Sequence, residues 1–327
     1  MKKVLGIGNA LVDVMTILDN DEVLRGLAFP KGSMQLVDLE LSTRIKEETS
    51  MFVNRQASGG SAANTIHGLS KLGVVAGYIG AVGSDSTGDI FENDMKSAGV
   101  NTMLLRRIRE TGTAVAMITP DSERTFATHL GAATEMSSGD LPPEMFRGYD
   151  FLYLEGYLVT NMDLVRYVCQ MAKENGLKIV IDMASFNVVD AFLGDFRELV
   201  ENWVDIIFAN EEEARSFTGL GPEEALQELA GQCEIAIVKV GKQGSIIARG
   251  HEKVKVNSID VTSIDTTGAG DLYAAGFLYG LAGDEPLEKC GAYGALLAGN
   301  VIEVFGPKMD DTRWKNIFSR IEEIRIA

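Results

Sequence analysis

Apolar positions follow two rhythms along this chain. Short runs, apolar but for a charged residue in the last three, occur at 4–8, 74–82, 151–154, 178–181, 205–208 and 235–240. Runs of this length, bounded by glycine or polar residues, predict strands buried on both faces. Between the later runs, apolar residues recur at helical spacing near 162–174, 190–201, 211–217 and 222–230. From residue 151 the order is strand, helix, strand, helix, which predicts a parallel sheet covered by helices. Helices are also predicted at 39–46, 62–72 and 87–98, the last two stopped by Gly73 and Gly99. Segments 245–248 and 253–256, joined through Arg249-Gly250-His251-Glu252, predict a hairpin at the sheet edge. Three more helices are predicted near 269–282, 286–302 and 310–324.

Residues 103–130 break this pattern. Short β-type segments there are divided by Glu110-Thr111-Gly112 and by Asp121-Ser122-Glu123. They predict antiparallel strands of a small sheet, joined by extended pieces near 11–18 and 33–37. The expected architecture is a single α/β unit over residues 1–327. It has a mostly parallel sheet flanked by helices, and a small β lid formed by segments about 11–37 and 103–130.

Composition narrows the class. The 327 residues are 46% hydrophobic, enough to bury a large core. The net charge of −17 repels nucleic acid and anionic membranes, so neither is expected as a partner. A nucleotide is still compatible, because local amides and a metal ion suffice to hold it. Cys169, Cys233 and Cys290 are scattered, with neither metal spacing nor a disulfide framework. The start, Met1-Lys2-Lys3 and an apolar run, is interrupted by Asn9 and Asp13 too early for a signal peptide. No stretch approaches a membrane span, so a cytoplasmic protein is expected. Monomer and homodimer both remain open.

The chemistry concentrates in Asp265-Thr266-Thr267-Gly268-Ala269-Gly270-Asp271. Gly268, Ala269 and Gly270 leave three N–H groups uncovered just before an apolar helix, where amides and the helix dipole favour an anion. A carboxylate does not improve a phosphate site. Asp271 makes sense as a base that takes a proton from a nucleophile. A plain Gly-rich helix start with an acid in its first turn is the competing reading. Gly6-x-Gly8 lacks the third glycine of a dinucleotide fingerprint, Leu11 standing there, and no P-loop sequence occurs. His67, His129 and His251 form no cluster, and only His129 falls near a plausible substrate pocket.

The seven-residue stretch closely resembles the C-terminal signature of the PfkB family of carbohydrate and nucleoside kinases, which have the ribokinase-like fold. Gly59-Gly60-Ser61-Ala62-Ala63-Asn64 resembles the family's second signature, a glycine pair leading into a helix that bears an asparagine. Gly8-Asn9 with Asp13 resembles the start of adenosine kinases and their sugar kinase relatives. The resemblance runs over nearly the whole chain. It implies that Asp271 is the base, that Gly268, Ala269 and Gly270 form an anion hole, and that Asn9, Asp13, Gly60 and Asn64 orient the sugar. It implies that Asn210 and Glu213, matching Asn-x-x-Glu, organise waters around Mg2+ bound to ATP, although Asn210 also reads as an ordinary helix cap. Gly241 and Gly244 would line the nucleotide. Lys239 would add charge toward phosphates or merely pack its stem. Arg124 on the lid would reach the transferred phosphate or serve as a surface charge. Family members also bind a monovalent cation such as K+, for which the Asp265 and Thr266 carbonyls and loop 303–306 are candidates.

The implied activity is ATP-dependent phosphorylation of a primary hydroxyl on a small-molecule sugar or nucleoside. Thr111-Gly112-Thr113 and His129-Leu130-Gly131-Ala132-Ala133 resemble the adenosine kinase branch more than fructokinases. A ribose- or fructose-type kinase is the alternative within enzymes. A catalytically silent sugar- or nucleotide-binding regulator is the alternative outside them, and the intact Asp271 speaks against it.

Overall fold

The computed structural model of the chain describes residues 1–52, 54–121 and 123–326, so Ser122 of the Asp121-Ser122-Glu123 divider lies outside the described residues. Its strands are β1 (Val4–Ile7), β2 (Leu11–Ile17), β3 (Met34–Leu36), β4 (Asn54–Gly59), β5 (Ala76–Gly83), β6 (Asn101–Arg107) and β7 (Thr111–Ile118). They continue with β8 (Arg124–Gly131), β9 (Phe151–Glu155), β10 (Lys178–Asp182), β11 (Ile206–Asn210), β12 (Ile235–Lys239), β13 (Ser245–Arg249) and β14 (Glu252–Val256). The apolar runs form a nine-stranded sheet in the order β14-β13-β12-β11-β10-β9-β1-β5-β6. From β12 to β6 all neighbours are parallel, and the β13–β14 hairpin closes one edge antiparallel.

Both faces of the strands between its edges β14 and β6 are buried, which is why these inner strands read as continuous apolar runs. On one face, side chains of β1, β5, β9 and β11 pack against helices Ser61–Lys71, Ala269–Ala282, Leu287–Val301 and Asp311–Ile326. On the other, helices Met162–Glu174, Leu193–Asn202, Glu211–Thr218 and Pro222–Ala230 cover the alternate residues. The result is a three-layer α/β fold.

The second sheet has five strands in the order β3-β8-β7-β2-β4. Three features differ from the sequence expectation. The 103–105 run is not part of this sheet: β6 pairs with β5 at the edge of the large sheet, and the second sheet's contribution starts at Thr111. The polar stretch Asn54–Gly59, not expected as a strand, supplies β4. The sheet is mixed rather than antiparallel, since β2 pairs with β7 and β3 with β8 in parallel. Sequence showed no apolar alternation at 54–59 because much of this edge strand is not packed in a core. The back of the sheet buries Val14, Val115, Met117 and Ala127 against Leu24 and Ile45 of helices Glu22–Leu27 and Leu39–Thr49.

Helix Ala269–Ala282 is buried on every side from Leu272 to Ala282. It approaches helix Leu287–Val301 so closely that a Cβ at Gly276 would collide with the Tyr293 carbonyl. A backbone contact cannot swing aside as a side chain can. Gly276→Ala is expected to lower the unfolding free energy by roughly 2 kcal/mol or more, measured by urea denaturation.

Candidate active site

Polar residues gather at the carboxyl ends of the parallel strands. Each apolar run ends in one: Glu155 on β9, Asp182 on β10, Asn210 on β11 and Lys239 on β12. Side chains at this edge lie beyond the sheet and face the starts of the following helices, where ligands of open α/β sheets bind.

Gly268 caps helix Ala269–Ala282 with φ 74° and ψ 4°, a left-handed conformation that favours glycine. The Ala269 N–H donates to the Thr266 carbonyl at 3.2 Å, so it is not free as expected; the tight turn aims it back along the loop. The N–H groups of Gly268, Gly270 and Asp271 have no protein acceptor among the described residues. A Cβ at Gly270 would lie 3.2 Å from Lys239 Nζ, so the buried ammonium abuts this turn. Lys239 also pairs with Asp182 at 2.9 Å. Free amides, a helix N-terminus and an ammonium together make a basin for an anion.

Asp271 sits in the first turn and binds the second glycine motif. Its Oδ1 accepts from Ser61 Oγ at 2.8 Å and its Oδ2 from Asn64 Nδ2 at 3.0 Å. Thr65 Oγ1 donates to its carbonyl at 3.1 Å. Burial raises the Asp271 carboxyl to about 6; the Asn64 and Ser61 hydrogen bonds pull it down, Asp182 pushes it up and Lys239 lowers it.

Asp13 on β2 is buried and raised to about 7 by burial, with Lys308 opposing that shift and Asp271 and Asp265 adding to it. Asn9 does something other than expected. Its Nδ2 and backbone N–H both donate to Glu155 Oε1, at 2.7 and 3.2 Å. Glu155 Oε2 accepts the Ala62 N–H at 3.0 Å, so Glu155 ties the turn after β1 to the start of helix Ser61–Lys71. Gly60, at φ 93°, is pressed between them, and a Cβ there would strike the Asn9 carbonyl oxygen.

Asn210 and Glu213 form a reciprocal capping box: Asn210 Oδ1 accepts the Glu212 and Glu213 N–H groups, and Glu213 accepts from the Asn210 N–H and Nδ2, both at 2.7 Å. Glu213 is buried beside Asp182 and Lys239, and its carboxyl is raised to about 7, chiefly by burial. Gly241 and Gly244, both at positive φ, flank the turn that follows Lys239. A Cβ at Gly244 would collide with the Val256 carbonyl, whereas Gly241 faces open space. Among the described residues no group of three or more His, Cys, Asp or Glu side chains is arranged to hold a metal.

The second sheet reaches this basin through Arg124. Its guanidinium pairs with Asp265 Oδ1 at 2.6 Å and donates to Thr266 Oγ1 at 2.8 Å. Asp265 also accepts the N–H groups of Thr267 at 2.6 Å and Gly306 at 2.8 Å, which brings loop 303–306 against the motif. A cavity of about 360 Å³ lies between Arg124, Phe126 and the Ser263–Thr266 side. Arg124 Nε is buried there without a hydrogen-bond partner.

Residues 34–313 match the model of the pfkB family carbohydrate kinases. The chain belongs to the pfkB family. It is a sugar or nucleoside kinase, and its relatives span both substrate types. It is 30% identical to an uncharacterized sugar kinase of Archaeoglobus fulgidus, over 74% of this chain and 96% of that one. It is 29% identical to a nucleoside kinase of Methanocaldococcus jannaschii, over 83% and 88%. Among solved structures, an adenosine kinase from Sinorhizobium meliloti superposes with a TM-score of 0.90 at 34% identity, covering 98% of this chain and 99% of that one. Among its described residues, this pfkB kinase has no helix long and apolar enough to cross a membrane.

Sequence reasoning passed over Glu155, Asp182 and Lys308 in this kinase, and it gave Lys239 little weight. The first two and Lys239 had a readable signal, a polar residue ending each apolar run at the strand edge where sites form. Lys308 had none, since it lies in a short loop beside other charges. Glu155→Ala would leave three donors of Asn9 and Ala62 unpaired in a buried place. A stability loss of roughly 2–4 kcal/mol is expected, read from chemical denaturation.

Proposed function

We propose that this pfkB kinase transfers the γ-phosphoryl group of ATP to the primary hydroxyl of a nucleoside. The observation that carries the nucleoside reading is the face that the second sheet turns to the site. Asp13, Ala114, Thr128 and Leu36 stand opposite one another across four strands, on one face. At the spacing of neighbouring strands the row is about 14 Å long. Its Asp13 end lies within the field of Lys308 and Asp271. Its far end opens on a cavity of about 440 Å³ lined by Leu36, Thr128 and Leu130 together with Asp38, Arg109, Glu110 and His129, its exposed lining mainly apolar. The small Ala114 leaves the middle of the row low. A carboxylate suits ribose hydroxyls, and an apolar cleft suits the flat face of a base. A free pentose or hexose would occupy the Asp13 end and leave the cleft to water.

The residues fit the anionic co-substrate. The free amides of Gly268 and Gly270, the ammonium of Lys239 and the unpartnered Arg124 Nε all offer donors to phosphate oxygens. Asn210 and Glu213 have their oxygens engaged in the capping box, so they suit a metal held through water rather than directly. Magnesium, when bound with ATP, would neutralise charge on the phosphates. A monovalent cation between the Asp265–Thr266 carbonyls and loop 303–306 is part of the same proposal, tested by comparing potassium with tris buffer.

Asp271 acts as the base in this proposal. Its carboxylate would accept the proton of the primary hydroxyl as that oxygen bonds to the γ-phosphorus and the bond to the bridging oxygen breaks, releasing ADP, while the amides of Gly268 and Gly270 stabilise the developing charge. Asp13 and Asn64 orient the sugar. The Arg124–Asp265 ion pair holds the second sheet over the basin as a lid, which keeps water from taking the phosphoryl group.

Three measurements test this. With ATP, magnesium and adenosine, Asp271→Asn is expected to lower kcat on the order of a thousandfold or more while nucleoside binding persists; near-wild-type turnover would remove the base assignment. Only the ionised carboxylate can accept a proton, so kcat/KM should fall as pH drops through about 6. Offered in parallel, ribose should turn over far more slowly than adenosine. The reverse order would keep the mechanism and make the substrate a sugar.

A further inference from the structure

Lys308 is a half-buried cation that stands among the acids of the site, and among the described residues no carboxylate is bonded to it. Lys308 follows Pro307, whose ring packs on Gly268, and its Nζ donates to Asn64 Oδ1 at 3.3 Å. The other amide atom of Asn64, Nδ2, donates to Asp271 Oδ2. Three residues thus form a chain, ammonium to amide to carboxylate.

The chemistry of the two ends fixes the middle. An ammonium can only donate and a carboxylate can only accept, whereas a carboxamide has one end of each kind. Asn64 placed between Lys308 and Asp271 satisfies both in one orientation alone. Without the ammonium the Asn64 oxygen loses this donor, and the Asp271 carboxylate alone is left to select the orientation of the amide. Ser61 holds the other carboxylate oxygen, so Asn64 sets the plane in which Asp271 meets a substrate hydroxyl.

We propose that Lys308 is a positioning residue, whose ammonium fixes the Asn64 amide and through it the orientation of the Asp271 carboxylate. This rests on Asp271 being the base. The charges around it agree. Lys308 faces Asp13 of β2, Asp94 of helix Ser86–Ser97, Asp271 of helix Ala269–Ala282, and Asn64 and His67 of helix Ser61–Lys71. Burial lowers Lys308 to about 8, and Asp94, Asp13 and Asp271 oppose that shift. His67 is held well below its ordinary value by burial and then by Lys308 and Lys71, so it adds no second cation. Lys71 is itself turned toward Asp311 at 3.4 Å.

Lys308→Met, Lys308→Gln and Lys308→Arg test the proposal in the full chain, with near-UV circular dichroism to confirm folding. With ATP and adenosine, Lys308→Met and Lys308→Gln should lower kcat about tenfold or more, leave KM for ATP within about twofold, and move the acid limb of kcat/KM up by about one pH unit. Lys308→Arg should recover most of the loss, which a simple packing defect would not predict. A readout independent of turnover is the 13C signal of the Asp271 carboxyl in aspartate-labelled protein, assigned by its loss in Asp271→Asn. Its titration midpoint should rise by about one unit in Lys308→Met and return toward wild type in Lys308→Arg. A folded Lys308→Met or Lys308→Gln protein with a wild-type acid limb and an unshifted Asp271 signal would overturn the proposal. Retained turnover in Asp271→Asn would instead overturn the base assignment on which it rests. If adenosine is not turned over, the carbon titration still decides.

Discussion

Two helix N-termini, whose residues Ser61 and Asp271 are 210 positions apart in sequence, meet on one carboxylate. That junction is what the rest of the structure depends on. A buried acid is costly unless donors surround it. Here Ser61 and Asn64 supply side-chain donors and the helix start adds a favourable field. The same contacts lock helix Ser61–Lys71 against helix Ala269–Ala282, and both pack on the central sheet. Stability and chemistry therefore share these bonds. The carboxyl rests at about 6, ionised at neutral pH and still basic enough to take a proton.

Around this junction the parallel sheet places acids and cations in a defined order. At the ends of these strands Glu155 on β9 stands beside Asp182 on β10, and Asn210 on β11 beside Lys239 on β12, two residues beyond Phe208, the partner of Asp182. Glu155 anchors the glycine turn through Asn9 and Ala62. Asp182 and Glu213 hold Lys239, whose ammonium then rests against Gly270. A Cβ at Gly270 would lie 3.2 Å from that ammonium and crowd the cation of the proposed phosphate basin. Arg124 repeats the theme from the second sheet, pairing with Asp265 across the cleft.

The sequence carried the fold well because its strongest signals are local. Continuous apolar runs marked every strand of the parallel sheet except β6, and Gly268 to Asp271 marked the helix start. The errors came where pairing is set by distant partners. The run 103–105 has β character wherever it pairs, and only β5 beside it decides that it joins the large sheet. Strand β4 was hidden because its edge position leaves polar residues exposed. In the site, Asp271, Gly60 and Asn64 were visible as motifs, but the bond between Asn64 and Asp271 was not, since it crosses the fold. Asn9 was expected to face a sugar; the buried Glu155, unseen beforehand, takes its donors. Lys308 could be recognised only once its neighbours were known.

The most direct test of the account is a crystal structure of the chain with adenosine and a non-hydrolysable ATP analogue. The account predicts the ribose primary hydroxyl about 2.6–3.2 Å from the Asp271 carboxylate. It also predicts ribose hydroxyls on Asp13, the base over Thr128 and Leu36, and the terminal phosphate at the Gly268 and Gly270 amides. A terminal phosphate bound elsewhere, or a nucleoside whose primary hydroxyl points away from Asp271, would contradict it.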